Sequence, residues 1–300
     1  MQSKGSLHGI GAYFLWGILP IYWKLLDHVS ALEILGHRII WSFLFVVLLL
    51  AVRGQWNGFD RVRQNPKKLT ISFVTASILA VNWLTYIYAV TSGFIVEASL
   101  GYFINPLFNV FLGVIILHER LRRLQWMAIG IAALGVLYLT FRYGSFPWIA
   151  LTLTLTFGTY GLLRKTMALE SLEGLGMETA ILSLPAIGLL LLIENHNGTS
   201  FLNSGIQTLL LLIGAGVATA MPLILFASAA RQIKLSLVGL LQYIAPTMQF
   251  LIGVAIYHEP FTVNRFIGFC FIWMALILYT VEGYFYNRRQ LKNVQKLTIH

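Results

Sequence analysis

The sequence predicts an all-α integral membrane protein with ten transmembrane helices in two inverted five-helix repeats. Three observations carry this: 58% hydrophobic against 11% charged residues over 300 positions, a series of apolar runs near the ~20 residues a spanning helix needs, and a match of the chain to itself at a common offset. A soluble domain averages roughly 25% charged residues, so a water-soluble enzyme of this length is excluded. Ten helices use about 200 positions and leave only short loops and tails. No catalytic domain of at least ~50 residues in one piece fits beside them.

The runs fall at about 5–26, 31–52, 70–91, 97–117 and 124–142, then at about 146–166, 175–194, 206–230, 236–257 and 263–285. The first lacks a small-residue cleavage site and reads as a retained helix. Short cytoplasmic loops retain Lys and Arg, whereas exported loops avoid them. With both termini cytoplasmic, 17 of the 21 Lys and Arg residues lie inside, the exceptions being Lys24, Arg38, Arg142 and Arg265.

An offset of 140 aligns Pro106 with Pro246, Gly113 with Gly253, His118 with His258 and Glu119 with Glu259; an offset of 141 aligns Gly17 with Gly158 and Lys24 with Lys165. The expected units are residues 1–142 and 143–285, followed by a basic cytoplasmic tail, 286–300. Five spans per unit is odd, so the second enters the membrane from the opposite side. His118-Glu119 then faces the cytoplasm and His258-Glu259 the exterior. Inverted repeats place a binding site near the midplane between the halves, which is the architecture of a carrier.

Polar side chains inside the hydrocarbon are costly, so those at helical spacing mark a cavity lining. Tyr13 and Trp16 in the first span are read either as packing or as lining, and Trp23 as part of an interfacial belt. Glu33, His37 and Trp41 share one face of the second span, with Arg38 beside His37. Arg38 either snorkels to the outer surface or is a fixed cation that holds an anionic substrate group and pairs with Glu33 or Glu97 when the site is empty. Asn82 and Tyr86 add to the lining. So do Tyr102, Asn105 and Asn109 at i, i+3, i+7, with Gln242, Tyr243 and Gln249 in the second unit, although interhelical hydrogen bonding accounts for the amides equally well. Pro106 and Pro246 are expected helix hinges. Glu33, Glu97 and Glu178 are read either as carboxylates that take up protons for coupling or as salt-bridged or interfacial carboxylates.

No metal or cofactor is expected. A zinc helix needs a second His at i+4, but positions 122 and 262 are Arg and Thr, and Glu119 and Glu259 read as helix-junction residues favouring the N-terminal ends of the following helices. One cysteine, Cys270, cannot form a disulfide framework. The net charge of +10 is spread in short clusters, so no basic face for nucleic acid exists. The partners expected are the lipid bilayer and a small-molecule substrate. Gly130, Gly135, Gly268 and Ala275 leave a homodimer open.

The repeated block of apolar helix, Pro, apolar helix and terminal Glu, at Pro106 to Glu119 and Pro246 to Glu259-Pro260, resembles the EamA repeat of the drug/metabolite transporter superfamily. The opening Gly9, Gly11, Tyr13, Trp16, Gly17 and Pro20, followed by Glu33, Gly36, His37 and Arg38, is similar to the RarD branch. The likeness implies a ten-helix carrier of the bacterial inner membrane with a central cavity; related carriers move amino acids, nucleotide sugars or other small metabolites. The expected function is secondary transport, by alternating access, of a small polar, zwitterionic or drug-like metabolite. The alternatives are a passive channel or facilitator, which needs a continuous filter, and a membrane-embedded enzyme, which needs a nucleophile with its base or a metal cluster.

Overall fold

The computed structural model describes residues 2–54, 65–117, 121–143, 146–166, 171–197, 200–232 and 241–297, and among these it contains helices and no strand. In order these are α1 (Gln2–Lys24), α2 (Ala31–Arg53), α3 (Pro66–Thr91), α4 (Ile95–Leu117), α5 (Arg123–Tyr143), α6 (Trp148–Thr166) and α7 (Ser171–Asn197). A one-turn helix, Ser200–Asn203, precedes α8 (Gly205–Gln232), α9 (Ile244–Leu251, continued by a π-turn over Ile252–Ile256) and α10 (Val263–Leu297). Seven of the described helices, α2, α3, α4, α5, α7, α8 and α10, are long and apolar enough to cross a membrane, and α6 and α9 are shorter apolar helices. His118, Glu119 and the basic loop around Arg61 and Arg63 lie outside the described residues.

Local chemistry sets several of the boundaries. Ser30 caps α2 by accepting from the Glu33 N–H at 3.2 Å, the capping-box spacing. Gly54 ends that helix in the left-handed region at φ 62°, which spares it the Cβ clash another residue would meet. Asn65 caps α3, with Pro66 in the first turn, where no N–H is needed. Pro106 lies inside α4, whereas Pro246 sits in the first turn of α9, just after a turn at Gln242 and Tyr243. The expected tail is helical to Leu297, since no Gly or Pro follows Gly283 to interrupt α10.

The packing repeats itself. α1 and α8 run antiparallel, Tyr22 bonding the Leu211 carbonyl at one end and His8 meeting Ser228 at the other. The pair α3 and α6 does likewise, through Tyr88 with Trp148 and Asn82 with Thr156. α4 runs parallel to α6, with Glu97 near Ile149 and Gly158 against Phe108. α1 runs parallel to α9, with Gly17 against Met248 and Lys24 over the Tyr257 ring. Along α4 and α9, Val96 lies against Gly253 while Phe103 shares a cavity with Tyr243 and Phe250, so these two are antiparallel. α5 and α10 are antiparallel as well, with Gly268 against Leu139 and Arg122 bonded to Glu282.

Polarity is inverted relative to a soluble protein. Leu48, Phe73, Leu191 and Ile277 are 59–65% exposed, whereas Arg38, Asn82 and Asn105 are 5%, 3% and 0% exposed. Apolar side chains outside and polar ones inside are what lipid demands of a bundle. One buried cluster joins α1, α2, α3, α6, α7 and α8 through residues such as Trp23, Ile34, Ile87 and Leu212; a second joins α4, α5 and α10 through Leu100, Phe103, Phe269 and Ile272.

The π-turn ends α9, and His258 follows at φ 52°, a conformation costly for a residue with a Cβ. That reversal turns Glu259 onto the start of α4, where its carboxylate oxygens accept from the Ile95 and Val96 N–H groups at 2.7 and 2.8 Å. The sequence pattern pointed Glu259 to the following helix. The helix it caps is instead α4, far earlier in the chain, because the left-handed turn carries the side chain away from α10.

Candidate functional site

Arg38 is the centre of the candidate site. It lies seven residues into α2, and its guanidinium carbon is 4.3 Å from the centre of the Trp83 ring and 5.0 Å from that of Trp23. Its Nε donates to Thr219 Oγ1 of α8 at 2.9 Å, while Nη1 is buried without a hydrogen-bond partner. The charge therefore stays inside the bundle rather than reaching the surface. Tyr86 and Tyr102 interact with it electrostatically, and the Tyr86 hydroxyl is also buried without a partner. A buried charge costs several kcal/mol. Two desolvated cation–π contacts at ~2 kcal/mol each and one charged hydrogen bond at ~1.5–3 kcal/mol offset most of that. The free Nη1 donor still favours an anionic group beside it.

Two aromatic walls lie within the bundle. Tyr13, Trp16 and Phe226 form one, with ring centres 5.4–6.0 Å apart. The other runs from Tyr86 to Tyr102 at 5.8 Å, on to Phe157 at 6.0 Å and to Tyr160 at 6.3 Å, where the Tyr160 hydroxyl donates to Glu178 at 3.0 Å. Each wall combines helices from both halves of the chain. Gly101 lets α4 approach α6 closely, since a Cβ there would lie 2.6 Å from the Ala150 carbonyl oxygen.

The other expected site residues are distributed differently. Asn82 donates to Leu153 and Thr156, tying α3 to α6. Asn105 is fully buried with both amide atoms unpartnered, and Gln249 donates to the Trp16 carbonyl at 3.0 Å. His37 stacks on Phe201 at 4.5 Å, and Glu33 accepts from the Phe201 N–H at 3.1 Å, so this face of α2 meets the one-turn helix. Glu97 accepts from the Ile149 N–H at the start of α6. Lys24 donates to the Thr91 carbonyl and lies 3.5 Å from Asp27. Tyr243 lines a separate apolar cavity with Phe103, Phe250, Trp273 and Thr280, and Gln242 occupies the adjoining turn.

Sequence reading missed Trp83 and Thr219. It also assigned Trp23 to an interfacial belt, whereas this indole is fully buried beneath Arg38. Burial lifts the Glu259 carboxyl above its ordinary range, opposed by the Val96 and Ile95 N–H groups and by Arg265 and Lys24.

An apolar helical bundle with a cation buried against indoles defines the class of multi-pass membrane proteins. The comparisons narrow this class. The EamA-like transporter family pattern matches residues 3–141. Protein RarD of Escherichia coli (strain K12) is 43% identical over 290 residues, covering 96% of this chain and 98% of that protein. Protein RarD of Streptomyces exfoliatus is 44% identical over 282 residues, 94% of this chain and 90% of that one. The uncharacterized transporter YojE of Bacillus subtilis (strain 168) is 46% identical over 281 residues, 93% of this chain and 94% of that one. A crystal structure only 17% identical, with a TM-score of 0.61 over 94% of this chain and 99% of that one, shares the fold. The chain belongs to the EamA-like drug/metabolite transporters, in their RarD branch.

Proposed function

We propose that this chain is a secondary carrier of the bacterial inner membrane, moving a small polar, zwitterionic or drug-like metabolite by alternating access through a central cavity, with Arg38 on its path. Ten spans in two inverted five-helix halves, with both termini cytoplasmic, provide the machinery. Exchanging each helix of the first five with the one five places later turns α1–α8 into α6–α3, and α4–α6 into α9–α1. These four pairs are in contact, antiparallel in the first case and parallel in the second. Equivalent helices of inverted repeats must cross the membrane in opposite senses, and the antiparallel α4–α9 and α5–α10 pairs support this reading.

The observation that carries the proposal is the Arg38 guanidinium, held between Trp23 and Trp83 with one donor unspent. An intramembrane cation is expensive and marks a substrate path.

Metabolite profiles of cells with and without the chain identify the compound whose distribution changes, and that compound is then assayed in proteoliposomes. Flux is expected to saturate and to vanish in Arg38→Gln while membrane insertion is unchanged. Wild-type flux in Arg38→Gln removes Arg38 from the mechanism, and flux that never saturates replaces the carrier with a channel.

A further inference from the structure

An offset of 140, which aligns the two proline blocks, also aligns Arg38 with Glu178 and Glu33 with Glu173. Arg38 stands seven residues after Ala31, the start of α2; Glu178 stands seven after Ser171, the start of α7. Each is therefore about 10 Å into its helix at 1.5 Å per residue, and α2 packs along α7. The chain has duplicated a position and given it opposite charges, a cation in one half and an anion in the other. The aromatic wall joins them, since Arg38 meets Tyr86 and Tyr102 at one end and Tyr160 bonds Glu178 at the other.

Three carboxylates competed for a role in coupling, and the structure separates them by their donors. Glu33 and Glu97 accept from backbone N–H groups at the starts of the one-turn helix and α6, toward the ends of the bundle's helices. Glu178 is 1% exposed, lies within a spanning helix, and its Oε2 accepts from a phenol rather than from a helix start. Carboxylates within a spanning helix mark ion and proton paths.

We propose that Glu178, with Tyr160 as its hydrogen-bond donor, is a proton-binding site on the translocation path. One proton from water adds to a carboxylate oxygen, giving the neutral acid; no other bond breaks, and the Tyr160 hydroxyl still has a carbonyl oxygen to bond. Proton occupancy at Glu178 and anion occupancy at Arg38 then bias the same aromatic wall from its two ends.

The ionisable groups of the surrounding helices are few. α2 brings Glu33, His37, Arg38 and Arg53; α3 brings Lys67, Lys68, Tyr86 and Tyr88. α8 brings Arg231, α6 brings Tyr160, Arg164 and Lys165, and α7 itself holds Glu173, Glu194 and His196. Tyr160 bonds the Glu178 carboxylate at 3.0 Å. Coupling to substrate rests on the transport reading above, but proton binding does not.

The test therefore needs no substrate: infrared difference spectra of the full chain in liposomes, acid against alkaline buffer. A protonated-carboxyl band is expected in the wild type and lost in Glu178→Gln. Tyr160→Phe keeps the ring and removes the donor, so the band should remain but shift in position. This variant decides the matter if Glu178→Gln fails to fold. A band that survives Glu178→Gln, that disappears instead in Glu33→Gln or Glu97→Gln, or that ignores Tyr160→Phe overturns the proposal. Each of these outcomes is independent of the Arg38 flux assay, which tests transport separately.

Discussion

The α1–α2–α8 centre and the α5–α10 pair are both assembled on glycines, yet they differ in what the close approach protects. At the centre, Gly216 brings α8 onto the backbone of α2 at Trp41 and Ser42, and buried Arg38, Thr219 and Ser42 lie within that contact. In the α5–α10 pair, Gly135 and Gly268 bring apolar Phe271, Ile272 and Leu139 together, and the polar contacts sit toward the ends, Tyr138 with Asn264 and Arg122 with Glu282. Helices of similar apolarity thus do different work. One interface holds a charge in register inside the bundle, while the other seals hydrocarbon against hydrocarbon.

The largest expected effect breaks the central contact. A Cβ at Gly216 would lie 2.4 Å from the Trp41 carbonyl carbon and oxygen, so Gly216→Ala must push one helix backbone off the other. Overpacking of this kind costs ~3 kcal/mol, and it pulls Thr219 from Arg38. Gly268→Ala meets side-chain carbons of Leu139 at 2.3–2.9 Å, and a leucine can change rotamer. A cost nearer the lower end of the overpacking range, about 1 kcal/mol, is expected there. Thermal unfolding in detergent compares the two, and equal losses would erase the distinction between the interfaces.

An intermediate effect sharpens it. Thr219→Val keeps the shape but removes the acceptor for Arg38 Nε, leaving a charged donor unpaired at a cost of about 1.5–3 kcal/mol. Denaturant titration measures the loss. Unchanged stability would mean that the indoles of Trp23 and Trp83 alone fix the guanidinium.

Seven of the helices were legible because a spanning run announces itself by length, but the third begins at Pro66, ahead of the apolar run expected from about 70, because Asn65 and Pro66 form a cap that hydropathy does not see. The sequence also marked Arg38, since a charge at that depth has few uses. The companions of Arg38 were hidden for a physical reason. Periodicity tells which residues share a face of one helix, not which helix that face meets. Trp83 and Thr219 look like ordinary members of apolar runs until α3 and α8 are packed beside α2. His37 illustrates the same limit: one residue from Arg38 in sequence, it turns about 100° around the helix and stacks on Phe201 instead. Glu259 was legible as a residue for a helix start, but its partner in α4 depends on the left-handed turn at His258, which no local pattern signals.

The smallest effect belongs to the end of the α5–α10 pair. Arg122 donates to Glu282 at 2.6 Å and lies 3.8 Å over the Tyr286 ring, a contact geometry as close as that at Arg38. Its side chain is 33% exposed against 9% for Glu282, however, so water screens the pair from the arginine side, and a glutamine amide there can still donate to the carboxylate. Arg122→Gln is expected to cost no more than about 1 kcal/mol, with the difference shrinking further at high salt. Flux in proteoliposomes should match the wild type, because among the described contacts Arg122 meets no residue of either aromatic wall. A cost equal to that of Thr219→Val, unaffected by salt, would place this ion pair in an environment as dry as the centre and make the two regions one.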